Sequence, residues 1–207
     1  MAEAVRVIRC AGRAFFDELY TLFVLSILTV LCLPLLAPFP PALAGLWSVA
    51  RRIAEGRAVR VRDGWDGFRR YFFPAWGLAL INLAAYSLMF YNMVFYANLP
   101  FPVPDWMPPA LQAFWTAALI VWSGWQLFAL AVLVEQERPH VLRALGQALA
   151  LMGKDAVFTL TLLTVESLLI ALGIAVLGLG IFVLPGALAI LTVYAVRHLW
   201  GKEAAEP

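Results

Sequence analysis

Charged residues are absent from four long stretches of the chain: Leu19–Ala50, Tyr71–Pro104, Trp106–Val134 and Ser167–Val196. A fifth apolar run, Ala156–Gly178, is broken only by Glu166 and overlaps the last of them. A helix that crosses a bilayer needs about 20 mostly apolar residues. The pattern therefore predicts five spans, over residues 19–36, 72–97, 109–135, 156–177 and 182–200. Pro34, Pro38, Pro40 and Pro41 stop the first span, because proline lacks a backbone donor and breaks helices. Pro41 also suits the first turn of a following helix.

Between the spans the pattern turns amphipathic. Residues 41–56 begin apolar and end Arg51-Arg52-Ile53-Ala54-Glu55-Gly56, which predicts an interfacial helix stopped by Gly56. Residues 139–154 predict a second, with Arg143, Gln147 and Lys154 on or near one face. The intervening elbow, residues 57–70, carries Arg57, Arg60, Arg62, Arg69 and Arg70 beside Trp65 and Phe68. Rings and guanidinium groups together favour the headgroup layer. Asp63 and Asp66 are placed to pair with those arginines and fold the elbow. The last two spans form a hairpin about Gly178-Leu179-Gly180, with Pro185 close behind. Span, break, amphipathic helix and span occur over 19–97 and again over 109–177, a weak repeat of the kind common in transporter folds.

Composition fixes the class. Hydrophobic residues make up 63% and charged residues 14%, against about 45–50% and about 25% in soluble domains. A soluble chain of 207 residues has no means of hiding so much apolar surface. The fold class is all-α: a single-domain polytopic helical membrane protein whose first partner is the lipid bilayer. Net charge is +2, which is no nucleic-acid signature. The 13 Arg and 2 Lys lie outside the apolar runs and are read as topological. The loop between the second and third spans has neither, whereas the linkers before span two and after span three carry seven and three. Those linkers are assigned to the cytoplasm, as is the C-terminus with Arg197 and Lys202. Five crossings then put the N-terminus outside, with Arg6, Arg9 and Arg13 offset by Glu3, Asp17 and Glu18. The alternative makes span one and its following helix a re-entrant hairpin and keeps all 15 basic residues inside. The first apolar run is too long for a signal peptide, and Ala37–Pro41 is a poor cleavage site, so a retained segment is expected. Cys10 and Cys32 have no metal-binding spacing and are expected to be free.

Glu166 is the sharpest chemical feature. It falls about ten residues into span four, near mid-bilayer at about 1.5 Å per residue. A carboxyl group at that depth is expensive and usually faces the bundle interior. No Lys, Arg or His shares its depth, so its expected partners are Asn82 in span two and Gln126 in span three. The three form either a transport-linked polar cluster or a network that fixes helix packing. Arg51, Arg52, Arg69 and Arg70 are the candidate docking residues for anionic lipid or a cytoplasmic partner. Catalytic readings fail: His140 and His198 are far apart, and there is no HExxH, GxSxG or Walker A pattern. No enzyme, cofactor or metal is expected.

One stretch carries a family resemblance. It comprises Leu33-Pro34-Leu35-Leu36-Ala37-Pro38-Phe39-Pro40-Pro41-Ala42-Leu43, then Arg51-Arg52, Gly56, and Trp65-Asp66-Gly67-Phe68-Arg69-Arg70-Tyr71-Phe72. This resembles the YesL-like family of bacterial integral membrane proteins of unknown function. There a first span ends in a PxxTxxPA stretch, followed by a short helix, a glycine and an aromatic-basic segment. One extra residue separates Pro34 from the Pro41-Ala42-Leu43 group here, and Ala37 stands nearest the usual threonine. Members are often encoded beside sugar ABC-transporter and glycan-degradation genes. The resemblance therefore implies an accessory role in carbohydrate uptake at the bacterial inner membrane, with ABC permease subunits as partners, and no catalytic residues. The residues themselves leave a second function open: an autonomous small secondary transporter or channel, working as a homo-oligomer with Glu166 as its intramembrane acid.

Overall fold

The computed structural model describes residues 2–98, 104–175 and 179–201. It is helical throughout, with no strand among these residues. The elements are α1 (Ala2–Asp17), α2 (Leu19–Leu31), a 3-10 turn (Leu33–Leu35), α3 (Phe39–Ala54), α4 (Val61–Arg70), α5 (Phe72–Ala97), α6 (Met107–Glu135), α7 (Val141–Lys154), α8 (Ala156–Ala175) and α9 (Leu179–Leu199). Four stretches are long and apolar enough to cross a membrane: α5, α6, α8 and residues Phe182–Leu199 of α9. Helices α1 and α2 pass that test only as a pair, bent by 87°.

One end of the bundle gathers the charges that bound the apolar windows. Tyr71, just before α5, donates to the carbonyl of Val134 near the end of α6 at 2.9 Å. Lys154, closing α7, donates to the carbonyl of Leu199 at the end of α9 at 2.8 Å. Arg197 in the last turn of α9 meets Glu135 at 3.1 Å. Thus α5 and α8 leave this basic end, and α6 and α9 return to it.

The N-terminal third departs from expectation. Glu3 in the first turn of α1 lies 3.5 Å from His198 in the last turn of α9, so the start of α1 and the end of α9 lie together. The count of crossings is four, or five if the bent pair α1–α2 forms one span. Residues 2–17 form a full helix whose buried Ala4, Val7, Ala11 and Ala14 recur at helical spacing against α9. Span one proves short: α2 has 13 residues, about 20 Å at 1.5 Å each, against a hydrocarbon core of about 30 Å. The helix expected at the interface, residues 41–56, is instead the enclosed helix α3. Ala44 to Ala50 are buried without interruption, against α4, α9, α5, α6 and α2. At its start Trp76 donates its indole N–H to the carbonyl of Ala37 at 3.1 Å. At its end Arg51 donates to the carbonyl of Val134 at 2.8 Å. Both ends of α3 are thus tied to neighbouring helices, the first to α5 and the second to α6. The expected stop at Gly56 is present: with φ of 70° it donates to Ile53 at 2.8 Å while Arg57 donates to Arg52 at 3.0 Å, a Schellman closure.

Elsewhere the expected elements stand. Helix α7 buries Ala144, Leu145, Ala148 and Leu151 and turns Arg143 outward. Of the expected turn Gly178-Leu179-Gly180, Gly178 lies outside the described residues, while Leu179 and Gly180 already belong to α9. Pro185 sits inside α9. A Cβ on Gly180 would come 2.5 Å from the carbonyl oxygen of Gly173, which shows how closely α8 and α9 approach. Cys10 and Cys32 are free thiols.

The core is concentrated at the basic end. Leu188 to Arg197 of α9 and Phe128 to Val134 of α6 are buried on every side, as expected of helices apolar all round. By contrast α5 buries only Ala75 and Leu78, both in its first two turns. Its outer half presents Leu83, Leu88, Phe90 and Tyr91.

Glycine governs how closely α4 seats on α3. A Cβ on Gly45 would come 2.6 Å from the carbonyl oxygen of Gly64 and 3.2 Å from the amide of Phe68. Backbone atoms cannot swing away as a side-chain tip can. Gly45→Ala is expected to destabilise the protein by about 1–3 kcal/mol. Gly12→Ala, whose new methyl group meets nothing within 4 Å, is expected to be neutral or to stabilise by up to about 1 kcal/mol. Unfolding in detergent micelles measures both, and unchanged stability of the Gly45 variant would refute the close α3–α4 contact.

Candidate functional site

The basic elbow is folded rather than loose. Asp63 accepts from the backbone N–H of Arg60 at 2.8 Å and so caps the start of α4, where a carboxylate also suits the helix dipole. Its other oxygen takes the guanidinium of Arg52 at 2.6 Å, which ties α4 to α3. Asp63 was expected to pair with an arginine of the elbow; its guanidinium partner is instead Arg52 on α3, and within the elbow it bonds the backbone of Arg60.

Behind α4 lies a cavity of about 180 Å³. Its wall carries Arg51, Arg52 and Arg70, with Ser48, Asp66 and Tyr71, above the bare backbone of Gly67. Three of the four expected docking arginines thus share one concavity. Each is anchored: Arg51 on the Val134 carbonyl at 2.8 Å, Arg52 on Asp63, and Arg70 on the Glu137 carbonyl at 3.0 Å. Arg69 stands apart, exposed on α4 with its guanidinium 5.0 Å from the centre of the Trp65 ring. Burial pushes the Tyr71 phenol above its ordinary range, with Arg51 and Arg70 pulling the other way. It therefore stays a neutral donor to Val134.

Beside the cavity runs an ion cluster that the sequence reading did not assemble. Glu55 lies 3.4 Å from Arg51, 3.1 Å from Arg57 and 3.7 Å from Arg197. Arg197 in turn meets Glu135, and their side chains are 10% and 3% exposed. The signal was available: Arg51, Glu135 and Arg197 each end an apolar window on the same side of the membrane.

The expected mid-membrane cluster is not assembled. Glu166 is 2% exposed and accepts from the hydroxyl of Thr192 on α9 at 3.1 Å. Its second oxygen is buried without a hydrogen-bond partner. Asn82 instead accepts from the indole N–H of Trp122 at 3.1 Å. Gln126 is buried, and neither its amide nitrogen nor its oxygen is bonded. No hydrogen bond links these three residues: Glu166 and Asn82 find partners on the adjacent helix of their own hairpin, and the Gln126 amide has none. Thr192 was overlooked because a hydroxyl in an apolar helix ordinarily bonds its own backbone; its oxygen is also 2.6 Å from the Leu188 carbonyl, so the two acceptors share one O–H proton.

His140 caps α7 by accepting from the Arg143 amide at 3.4 Å, while His198 faces Glu3. No group of three potential metal ligands occurs among the described residues. No family model, curated protein or solved structure matches the chain. The YesL-like resemblance therefore rests on the residues of roughly its first 75 positions.

Opening the buried ion pair tests the organisation of this end. Removing one partner of such a pair leaves a stranded charge, at a cost of about 3–5 kcal/mol. Arg197 keeps Glu55 at 3.7 Å, so Glu135→Ala is expected to lose at most the lower end of that range, about 3 kcal/mol, in micelle unfolding, and the double variant Glu135→Ala, Arg197→Met is expected to lose less. A double variant less stable than Glu135→Ala alone would show that the pair does not hold α6 to α9.

Proposed function

We propose that this chain is a non-enzymatic accessory or regulatory component of a bacterial ABC-type carbohydrate uptake system. It lies in the cytoplasmic membrane with its basic end inward. The observation that carries the proposal is the exposed ridge of α4. There the Trp65 ring stacks on Phe68 at 4.9 Å and Arg69 covers Trp65. An aromatic–arginine patch is the composition that dominates protein interfaces, and this one stands on a helix fixed to the core through Gly45 and Asp63. The excess of cationic residues at this end supports the inward orientation. The resemblance to the YesL-like family supports the link to sugar uptake.

The permease subunits are the partners this reading names. Mild-detergent affinity purification from the native host is expected to recover them with the wild-type chain. Trp65→Ala combined with Arg69→Ala is expected to reduce that recovery at least tenfold. Arg51, Arg52 and Arg70 stay intact in this variant because their anchoring bonds belong to the fold. Full recovery with the double variant would remove the ridge as the docking surface, and wild-type protein free of permease subunits would remove the accessory role.

A second reading draws on Glu166, whose buried oxygen has no hydrogen-bond partner. An autonomous transporter, working as a homo-oligomer, uses such a carboxyl group as a proton-linked centre. Flux of a sugar or ion into vesicles containing only this protein, with a pH dependence changed by Glu166→Gln, would favour transport. Tight vesicles with no flux would exclude it.

A further inference from the structure

The cavity behind α4 has features that the docking ridge does not need. Its volume, about 180 Å³, far exceeds what one ordered water requires, on the order of 10–15 Å³. Arg52 is held through Nη1 and Arg70 through Nη2, and Arg51 is held through Nη1 on the Val134 carbonyl with its Nε 3.4 Å from Glu55. A guanidinium carries five N–H donors, so each retains donors beyond its anchoring bond. Folding has already immobilised these side chains, so a ligand does not meet that entropic cost again.

The charge is one-sided. In the wall three guanidinium groups face one carboxylate, Asp66, which is exposed at the rim. Asp63 offsets Arg52. Glu55 is divided among Arg51, Arg57 and Arg197, and Arg197 is also met by Glu135 outside the wall. The group that matches several fixed guanidinium forks is a phosphate, through paired N–H···O bonds.

Depth chooses the source of that phosphate. Arg70 and Tyr71 immediately precede Phe72, the first residue of the apolar helix α5. Phe73 is 83% exposed and Trp65 51% exposed, at the level where aromatic side chains meet headgroups. We propose that the cavity is a specific site for the phosphate of an anionic membrane phospholipid, gripped by Arg51, Arg52 and Arg70. This assignment is independent of the accessory role, since it uses the recessed wall and not the Trp65–Arg69 ridge.

The test is native mass spectrometry of the full chain in detergent, titrated with phosphatidylglycerol or with phosphatidylcholine of the same acyl chains. Phosphatidylglycerol is expected to bind at one site at least tenfold more tightly than phosphatidylcholine. Arg70→Ala is expected to weaken it at least tenfold. Arg62→Ala, an equal loss of charge on α4 outside the cavity wall, is expected to change it less than twofold. Equal losses in the two variants, or no preference for phosphatidylglycerol, would overturn the proposal by reducing it to diffuse attraction. Displacement of the lipid by millimolar inorganic phosphate would overturn the assignment to a lipid. Should Arg70→Ala fail to fold, Asp66→Asn decides: removing the rim carboxylate is expected to tighten phosphatidylglycerol binding severalfold, and unchanged or weaker binding refutes the site.

Discussion

A charge cannot follow its helix into hydrocarbon, and the architecture of this protein follows from that constraint. Arg51, Arg70, Glu135 and Arg197 each stand where an apolar window stops. Once α5, α6, α8 and α9 are threaded alternately through a slab of fixed thickness, those four residues must come to one level. Being at one level, they can meet. Arg197 reaches Glu135 and Glu55, Arg51 reaches Glu55 and the Val134 carbonyl, and Arg70 reaches Glu137. The polar end is thus the place where cost avoided along the helices is converted into specific contacts.

The sequence made legible what depends on runs of one residue class. Four apolar helices, the amphipathic α7, the Gly56 stop and the proline break before α3 follow from local pattern. What escaped depends on small residues and on partners distant in the chain. Helix α1 was not among the expected elements because its packing stripe, Ala4, Val7, Ala11 and Ala14, contains only one residue larger than alanine. Helix α3 was placed at the surface because Arg51, Arg52 and Glu55 look solvent-bound. Its neighbours Gly45 and Ser48 signal a buried contact only beside Gly64 and Gly67, and no spacing rule brings those pairs together. The cation-rich elbow was recognised as a surface, yet its division into a recessed wall and an outer ridge required the helical phase of α4.

Polar residues in the membrane show the same limit. Charge and amide groups drew attention to Glu166, Asn82 and Gln126, and a single network was the economical expectation. Hydroxyl and indole groups turned out to be the partners, Thr192 for Glu166 and Trp122 for Asn82. In a helical hairpin the nearest hydrogen-bonding group belongs to the helix next in sequence, so polar atoms are satisfied within hairpins before they join across the bundle.

The concentration of buried residues at one end has a consequence for how the chain tolerates change over generations. Near the basic end, α3, α6 and α9 are surrounded, and Gly45 admits no methyl group beside Gly64. Substitutions there must respect shape and charge together. In the outer half of α5, from Leu80 to Phe95, no side chain is buried, and apart from Asn82 and Tyr86, which bond α6, a lipid-facing position there accepts any side chain of adequate hydrophobicity. The outer half of α5 therefore holds positions that drift freely, whereas the basic end and the close Gly173–Gly180 approach hold positions that drift only in compensating pairs. Relatives of this chain would diverge fastest where the bundle faces away from its charges.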